Sequence, residues 1–157
     1  MMTQTAQVAP AADNDQGDHG MLTQARRRAA FFDLRHNLLA SGSAPAVREA
    51  AARHRSAGDL LVCVTADPPP GGATTHGTGL AADLVLYAGA PSAAAGSEVV
   101  VEAMVRLGLD AAQCFAYGDH REGLTILRVV GNPRVVGGDP LMAELARDSG
   151  WPVLPTP

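Results

Sequence analysis

The sequence predicts an α/β domain of three layers, helix–sheet–helix, around a parallel sheet of about five strands. Three observations carry this. From Ala29 onward, apolar runs of strand length alternate with segments of helical periodicity. The runs are solidly apolar, as strands covered on both faces must be. The helical segments carry start and stop residues where crossover helices need them. A length of 157 residues gives one domain with a single core. We place it at residues 25–155, behind a polar extension, residues 1–24, that is expected to be disordered.

The first strand is the apolar run Ala29 to Leu34. Ser43 then offers an N-cap, Pro45 falls in the first turn and Gly58 closes a helix of about three turns. Glu49 and Arg53, four apart, form a modest surface pair on it. Leu60 to Val64 is a second buried strand, ending in Thr65. Residues 66–79 contain Pro68-Pro69-Pro70-Gly71-Gly72 and are expected to be a loop. Leu84 to Tyr87 is a short third strand, followed by a linker of small residues. Glu98 to Leu107 is helical, with Val100, Val101, Met104 and Val105 on one face. Ala112 to Tyr117 is a fourth strand, Leu124 to Val129 a short helix, and Arg134 to Val136 a further strand. The last helix is the best punctuated: Asp139 as N-cap, Pro140 at its first position and Gly150 just past its end. Val153-Leu154 can add an edge strand.

Composition narrows the function. A hydrophobic fraction of 46% with only 4% aromatic residues implies a core of small aliphatics. A net charge of -4 argues against nucleic acid or an anionic membrane as partner. No stretch is long and apolar enough to span a membrane, and the first 20 residues lack the apolar segment of a secretory signal. Cys63 and Cys114 lie in apolar runs and form no CxxC pair, which predicts two buried, reduced thiols in a cytoplasmic protein. Every basic residue is Arg; the chain contains no Lys.

Two stretches concentrate the chemistry. Phe31-Phe32-Asp33-Leu34-Arg35-His36-Asn37-Leu38-Leu39 and Tyr117-Gly118-Asp119-His120-Arg121-Glu122-Gly123 each deliver an Asp from an apolar strand to a sheet edge. In open α/β sheets ligands sit beyond the carboxyl ends of the strands, and Asp33, Thr65 and Asp119 all fall at such ends. The two stretches resemble the first and last signature motifs of the haloacid dehalogenase (HAD) superfamily, in its phosphoserine-phosphatase-like branch. Leu60-Leu61-Val62-Cys63-Val64-Thr65-Ala66 is similar to the second motif, a strand ending in a Ser or Thr that binds phosphate. The stretch from Gly131-Asn132-Pro133 to Val153-Leu154 resembles that branch's C-terminal tail. The likeness covers roughly residues 25–155 and implies a Rossmann-like HAD core.

The resemblance also sets chemical requirements. The family's first Asp attacks phosphorus, and a second Asp two residues later is the general acid and base. A Lys neutralises the phosphate, and carboxylates hold Mg²⁺. Asp33 matches the nucleophile and a metal ligand, Thr65 the phosphate-binding hydroxyl and Asp119 a metal ligand. Arg35, however, occupies the acid–base position, and a guanidinium cannot release its proton near neutral pH. Asn37 replaces a Thr, Ser97 and Glu98 fall near the expected Lys, Gly123 replaces a carboxylate and His120 a Ser. The family's helical cap is also expected to be missing, since one helix takes up most of the chain between Leu39 and Thr65.

These departures imply a catalytically impaired or inactive phosphatase homologue acting as a binding or regulatory module. No cofactor is expected, with Mg²⁺ required only if activity remains. The alternative is a residual phosphomonoester hydrolase with Asp33 as nucleophile and His36 or His120 as acid and base. A small phosphorylated ligand and self-association are the partners considered. Arg35 has three possible roles: to replace Mg²⁺ by pairing with Asp33 and Asp119, to stand in solvent, or to bind phosphate with Thr65. A transition-metal site of His36, His120 and the nearby carboxylates is opposed by the charge of Arg35. The Gly-rich stretch around His76 has neither the Lys nor the spacing of a phosphate loop. Trp151 is expected to be a packing anchor, and Arg26-Arg27-Arg28 a solvated basic turn.

Overall fold

In a computed structural model of the chain, which describes residues 28–35, 44–66, 80, 82–89, 93–137 and 139–154, six parallel strands form one sheet. The elements are β1 (Ala29–Asp33), α1 (Ala44–Ser56), β2 (Leu60–Thr65), β3 (Leu84–Tyr87), α2 (Ala93–Leu107), β4 (Phe115–Gly118), α3 (Leu124–Leu127), β5 (Asn132–Val136), α4 (Pro140–Ser149) and β6 (Val153–Leu154). Two 3-10 turns, Ala111–Gln113 and Arg121–Gly123, flank β4. The sheet order is β3-β2-β1-β4-β5-β6, the doubly wound arrangement whose direction of winding reverses between the first and fourth strands.

The central strand β1 is buried along its whole length and sends alternate residues to opposite faces. Ala29 and Phe31 join a core with Val62, Val64, Ala116 and Val135, covered by α2, α3 and α4 through Val100, Met104, Ile126, Leu127 and Met142. Ala30 and Phe32 join a second core with Cys63, Tyr117 and Val136, covered by Val47, Ala50 and Ala51 of α1. The three layers expected from the sequence are therefore present, with six strands rather than about five. No cap domain occurs among the described residues. The expected disordered extension, Ser43 as a cap, the stretch around His76 and residues 36–43 lie outside the described residues.

Three element starts differ from expectation, and β1 and α3 end early, at Asp33 and Leu127 rather than Leu34 and Val129. Helix α2 starts at Ala93, not Glu98, because Ala93 to Ala95 are strong helix formers and Ser97 Oγ donates to the Ala94 carbonyl within the helix, 3.0 Å. The start of the expected fourth strand is a 3-10 turn, because Asp110 Oδ1 caps it by accepting from the Ala112 amide at 3.1 Å. Strand β5 begins at Asn132, ahead of the expected Arg134. Pro133 is tolerated there because β6 pairs only with Val135 and Val136, so the missing N–H falls on an open stretch of strand edge.

Candidate functional site

The site lies where β1 and β4 part, at their carboxyl ends. Asp33 is the last residue of β1 and Asp119 directly follows β4, while Phe31 and Phe32 pair in register with Ala116 and Tyr117. Thr65 ends β2, one residue beyond the Asp33–Val64 pairing. The sheet thus brings the three strand-end residues to one edge, as the sequence implied.

Arg35 turns back onto this edge. Its Nε donates to Asp33 Oδ1 at 2.8 Å and its Nη2 to Asp33 Oδ2 at 3.0 Å, a two-pronged guanidinium–carboxylate pair. Nη2 also donates to the Glu122 carbonyl at 3.2 Å, and the Arg35 amide donates to Asp33 Oδ1 at 3.2 Å. Both side chains are nearly sealed from solvent, at 3% and 4% exposure. The hydrogen bond to Asp33 raises the Arg35 pKa, against the opposing effect of burial, so the group stays charged. The solvent-exposed role considered for Arg35 is overturned, because a carboxylate buried at the strand end draws the guanidinium inward.

Two glycines border the pair. A Cβ at Gly96, in the second turn of α2, would meet the Arg35 guanidinium at 2.7 Å. A Cβ at Gly123 would meet Asp33 Oδ2 at 2.9 Å. Gly123 closes a 3-10 turn that starts after His120, whose Nδ1 accepts the Glu122 amide at 3.2 Å. His120 therefore serves as the cap of this turn. The sequence held a signal for Gly96 that went unread: an isolated Gly within a helix often marks a close approach of another group.

A divalent cation needs several oxygen donors free to face it. Here both Asp33 oxygens are engaged by Arg35, and Gly123 beside Asp33 offers neither a carboxylate nor room for one. Among the described residues no group of three or more His, Cys, Asp or Glu could hold a metal ion. The donors that the described residues bring to this edge do not fit Mg²⁺.

A second polar cluster was missed by sequence reasoning. Arg28 precedes β1 and Asp59 precedes β2, so the two meet at the opposite end of the sheet. Arg28 Nε and Nη2 donate to Asp59 Oδ1 and Oδ2 at 2.9 and 3.0 Å, so this Arg pairs with a buried carboxylate while its side chain stays 42% exposed, in keeping with the solvated turn expected. His54 of α1 lies 2.8 Å from Asp59 Oδ2 through Nδ1 and 2.7 Å from Tyr117 Oη through Nε2. A carboxylate only accepts, so Nδ1 carries the proton and Nε2 accepts from the tyrosine. Burial lowers the His54 pKa, outweighing the opposing effect of Asp59. For Asp59 burial acts upward, but the hydrogen bonds from Arg28 and His54 prevail and hold it low. The signal was a His at the inward spacing Val47, Ala50, Ala51, His54. His54, Asp59 and Tyr117 are sealed at 7%, 6% and 4% exposure, so this cluster fastens α1 to the sheet.

Comparison with solved structures bears on the fold. A protein of unknown function from Bordetella pertussis Tohama I is similar at 16% identity and a TM-score of 0.63, over 83% of this chain and 99% of that one. A Streptomyces avermitilis protein named as a HAD-family hydrolase is similar at 14% identity and 0.58, over 83% and 82%. The cobalt-bound deoxy-D-mannose-octulosonate 8-phosphate phosphatase of Haemophilus influenzae is similar at 15% identity and 0.57, over 80% and 77%. The chain thus has the Rossmann-like α/β fold that these HAD-type and phosphatase structures share. No family model matches the chain, and no curated protein matches it.

Proposed function

We propose that this chain is a capless member of the HAD superfamily, of its phosphoserine-phosphatase-like branch, that does not catalyse phosphate transfer and acts as a binding or regulatory module. The observation that carries this reading is the two-pronged hold of Arg35 on Asp33. A carboxylate that attacks phosphorus needs an oxygen facing the substrate, and here both oxygens are bonded to a buried cation. The acid–base group is absent as well, because the same Arg occupies its position. Absence of a cap is supported by the short connection from β1 to α1, residues 34–43. Thr65 at the end of β2 is the group we assign to a small phosphorylated ligand, with Arg35 acting as the counter-ion of Asp33. Two free, buried cysteines, Cys63 and Cys114, favour a reducing compartment, and we place the protein in the cytoplasm. No helix among the described residues is long and apolar enough to cross a membrane.

The test is hydrolysis of p-nitrophenyl phosphate with and without Mg²⁺, for the natural protein and for Asp33→Asn. The expected outcome is no turnover above the uncatalysed rate in either. Magnesium-dependent turnover that disappears in Asp33→Asn would replace this reading with that of a residual phosphomonoester hydrolase.

A further inference from the structure

We propose that Arg35, Gly96 and Gly123 form one guanidinium seat, in which two glycines are kept bare so that the chain's own cation fills a place its donors cannot offer to a metal. The inference rests on Arg35 being the counter-ion of Asp33, and it assigns a positioning role to two residues outside both Asp-bearing strands.

A Cβ at Gly96 would lie 2.7 Å from Cζ, 2.7 Å from Nη2 and 2.8 Å from Nη1 of Arg35. Three nearly equal distances put that point over the flat face of the guanidinium rather than beyond one nitrogen. The backbone of α2 therefore packs against the plane of the group, a contact available to a guanidinium and not to a rounded ammonium. A Cβ at Gly123 would lie 2.9 Å from Asp33 Oδ2. One glycine makes room for the cation and the other for the anion.

A long side chain could ordinarily swing away from such a clash. Arg35 cannot do so freely. It is held by Asp33 through two nitrogens and by the Glu122 carbonyl, and its side chain is 3% exposed. Moving it would leave a buried carboxylate without its partner. Gly96 also stands in a helix, where Gly is a poor former and Ala the best. A glycine at this point opposes local propensity, and the guanidinium supplies the reason.

The sign of one substitution tests the seat. Gly96→Ala in an exposed helix position raises the melting temperature, because Ala favours the helix. In the natural protein Gly96→Ala is expected to lower it, by displacing Arg35. In the Asp33→Asn/Arg35→Met background, where no guanidinium needs the space and no charge is left alone, the same substitution is expected to raise it. A rise in the natural protein would overturn the proposal, as would an equal fall in both backgrounds. Should the double replacement not fold, the Arg35 Nε–H resonance decides. It is expected to exchange slowly with solvent in the natural protein and rapidly in Gly96→Ala; unchanged slow exchange would overturn the seat. Neither readout involves phosphate-ester turnover, so failure of the seat and failure of the proposed function are read separately.

Discussion

A buried guanidinium–carboxylate pair is secured chiefly by the cost of leaving one member alone. Removing Arg35 would leave the Asp33 carboxyl at 4% exposure with its main donor gone. Arg35→Ala is therefore expected to destabilise the fold by about 3–5 kcal/mol, measured by urea unfolding at neutral pH. Arg35→Lys should recover only part of this, because an ammonium cannot reproduce the two-pronged contact. His54 gives a second prediction. Its folded pKa lies below the unfolded value of 6.5, so below that pH the unfolded chain takes up a proton that the folded chain refuses. Stability is then complete above pH 6.5 and falls as the pH drops toward the folded pKa. Asp59, lowered from 3.8, adds a further loss as the pH drops through 3.8 and below. Unfolding of His54→Gln followed against pH should lack the first of these declines; a profile identical to that of the natural protein would refute the assignment.

At the scale of elements, local signals succeeded where local chemistry decides. Helix α4 was fully legible: Asp139 Oδ1 accepts the Leu141 amide at 3.0 Å, Pro140 opens the helix, and Gly150 takes the left-handed conformation at φ 75°. Asp139→Ala is expected to cost about 1 kcal/mol, detectable as a lowered midpoint of thermal unfolding. The strands β1, β2 and β3 were equally clear, since a short apolar run between turn residues has few other uses. Helix α2 was cut short because Gly96 and Ser97 resemble a linker. Only a group contributed from another part of the chain, Arg35, explains a glycine there. Pro133 misled in the same manner, since its tolerance depends on how far β6 extends along β5.

For the whole molecule, the two faces of the sheet are packed by different means. Three helices cover one face with aliphatic contacts. On the other, α1 combines aliphatic contacts with the His54 cluster and with Phe32 stacked on Tyr117 at 4.7 Å. Cys63 lies in this second core, and burial pushes its thiol up to about 12. Only the thiolate reacts readily. Ellman's reagent at neutral pH is therefore expected to label Cys63 no faster than the domain unfolds, and labelling should accelerate in step with added urea. Rapid labelling without denaturant would show that α1 opens independently of the rest.

The sequence by itself determined the layers, the strand ends, the Arg two residues after Asp33 and the absence of Lys, because these follow from residue type and from periodicity along the chain. It placed Asp33, Thr65 and Asp119 at the strand ends, and it offered pairing with both Asp33 and Asp119 as one of three roles for Arg35. Only the tertiary structure removed the solvent-exposed role and showed the pairing with Asp33, because both depend on burial and on what surrounds the guanidinium. Gly96 and Gly123 gain their meaning in the same way, from atoms far off in sequence. So does the cluster of Arg28, Asp59, His54 and Tyr117: His54 and Asp59 are close in sequence, but Arg28 and Tyr117 reach them only when the sheet forms.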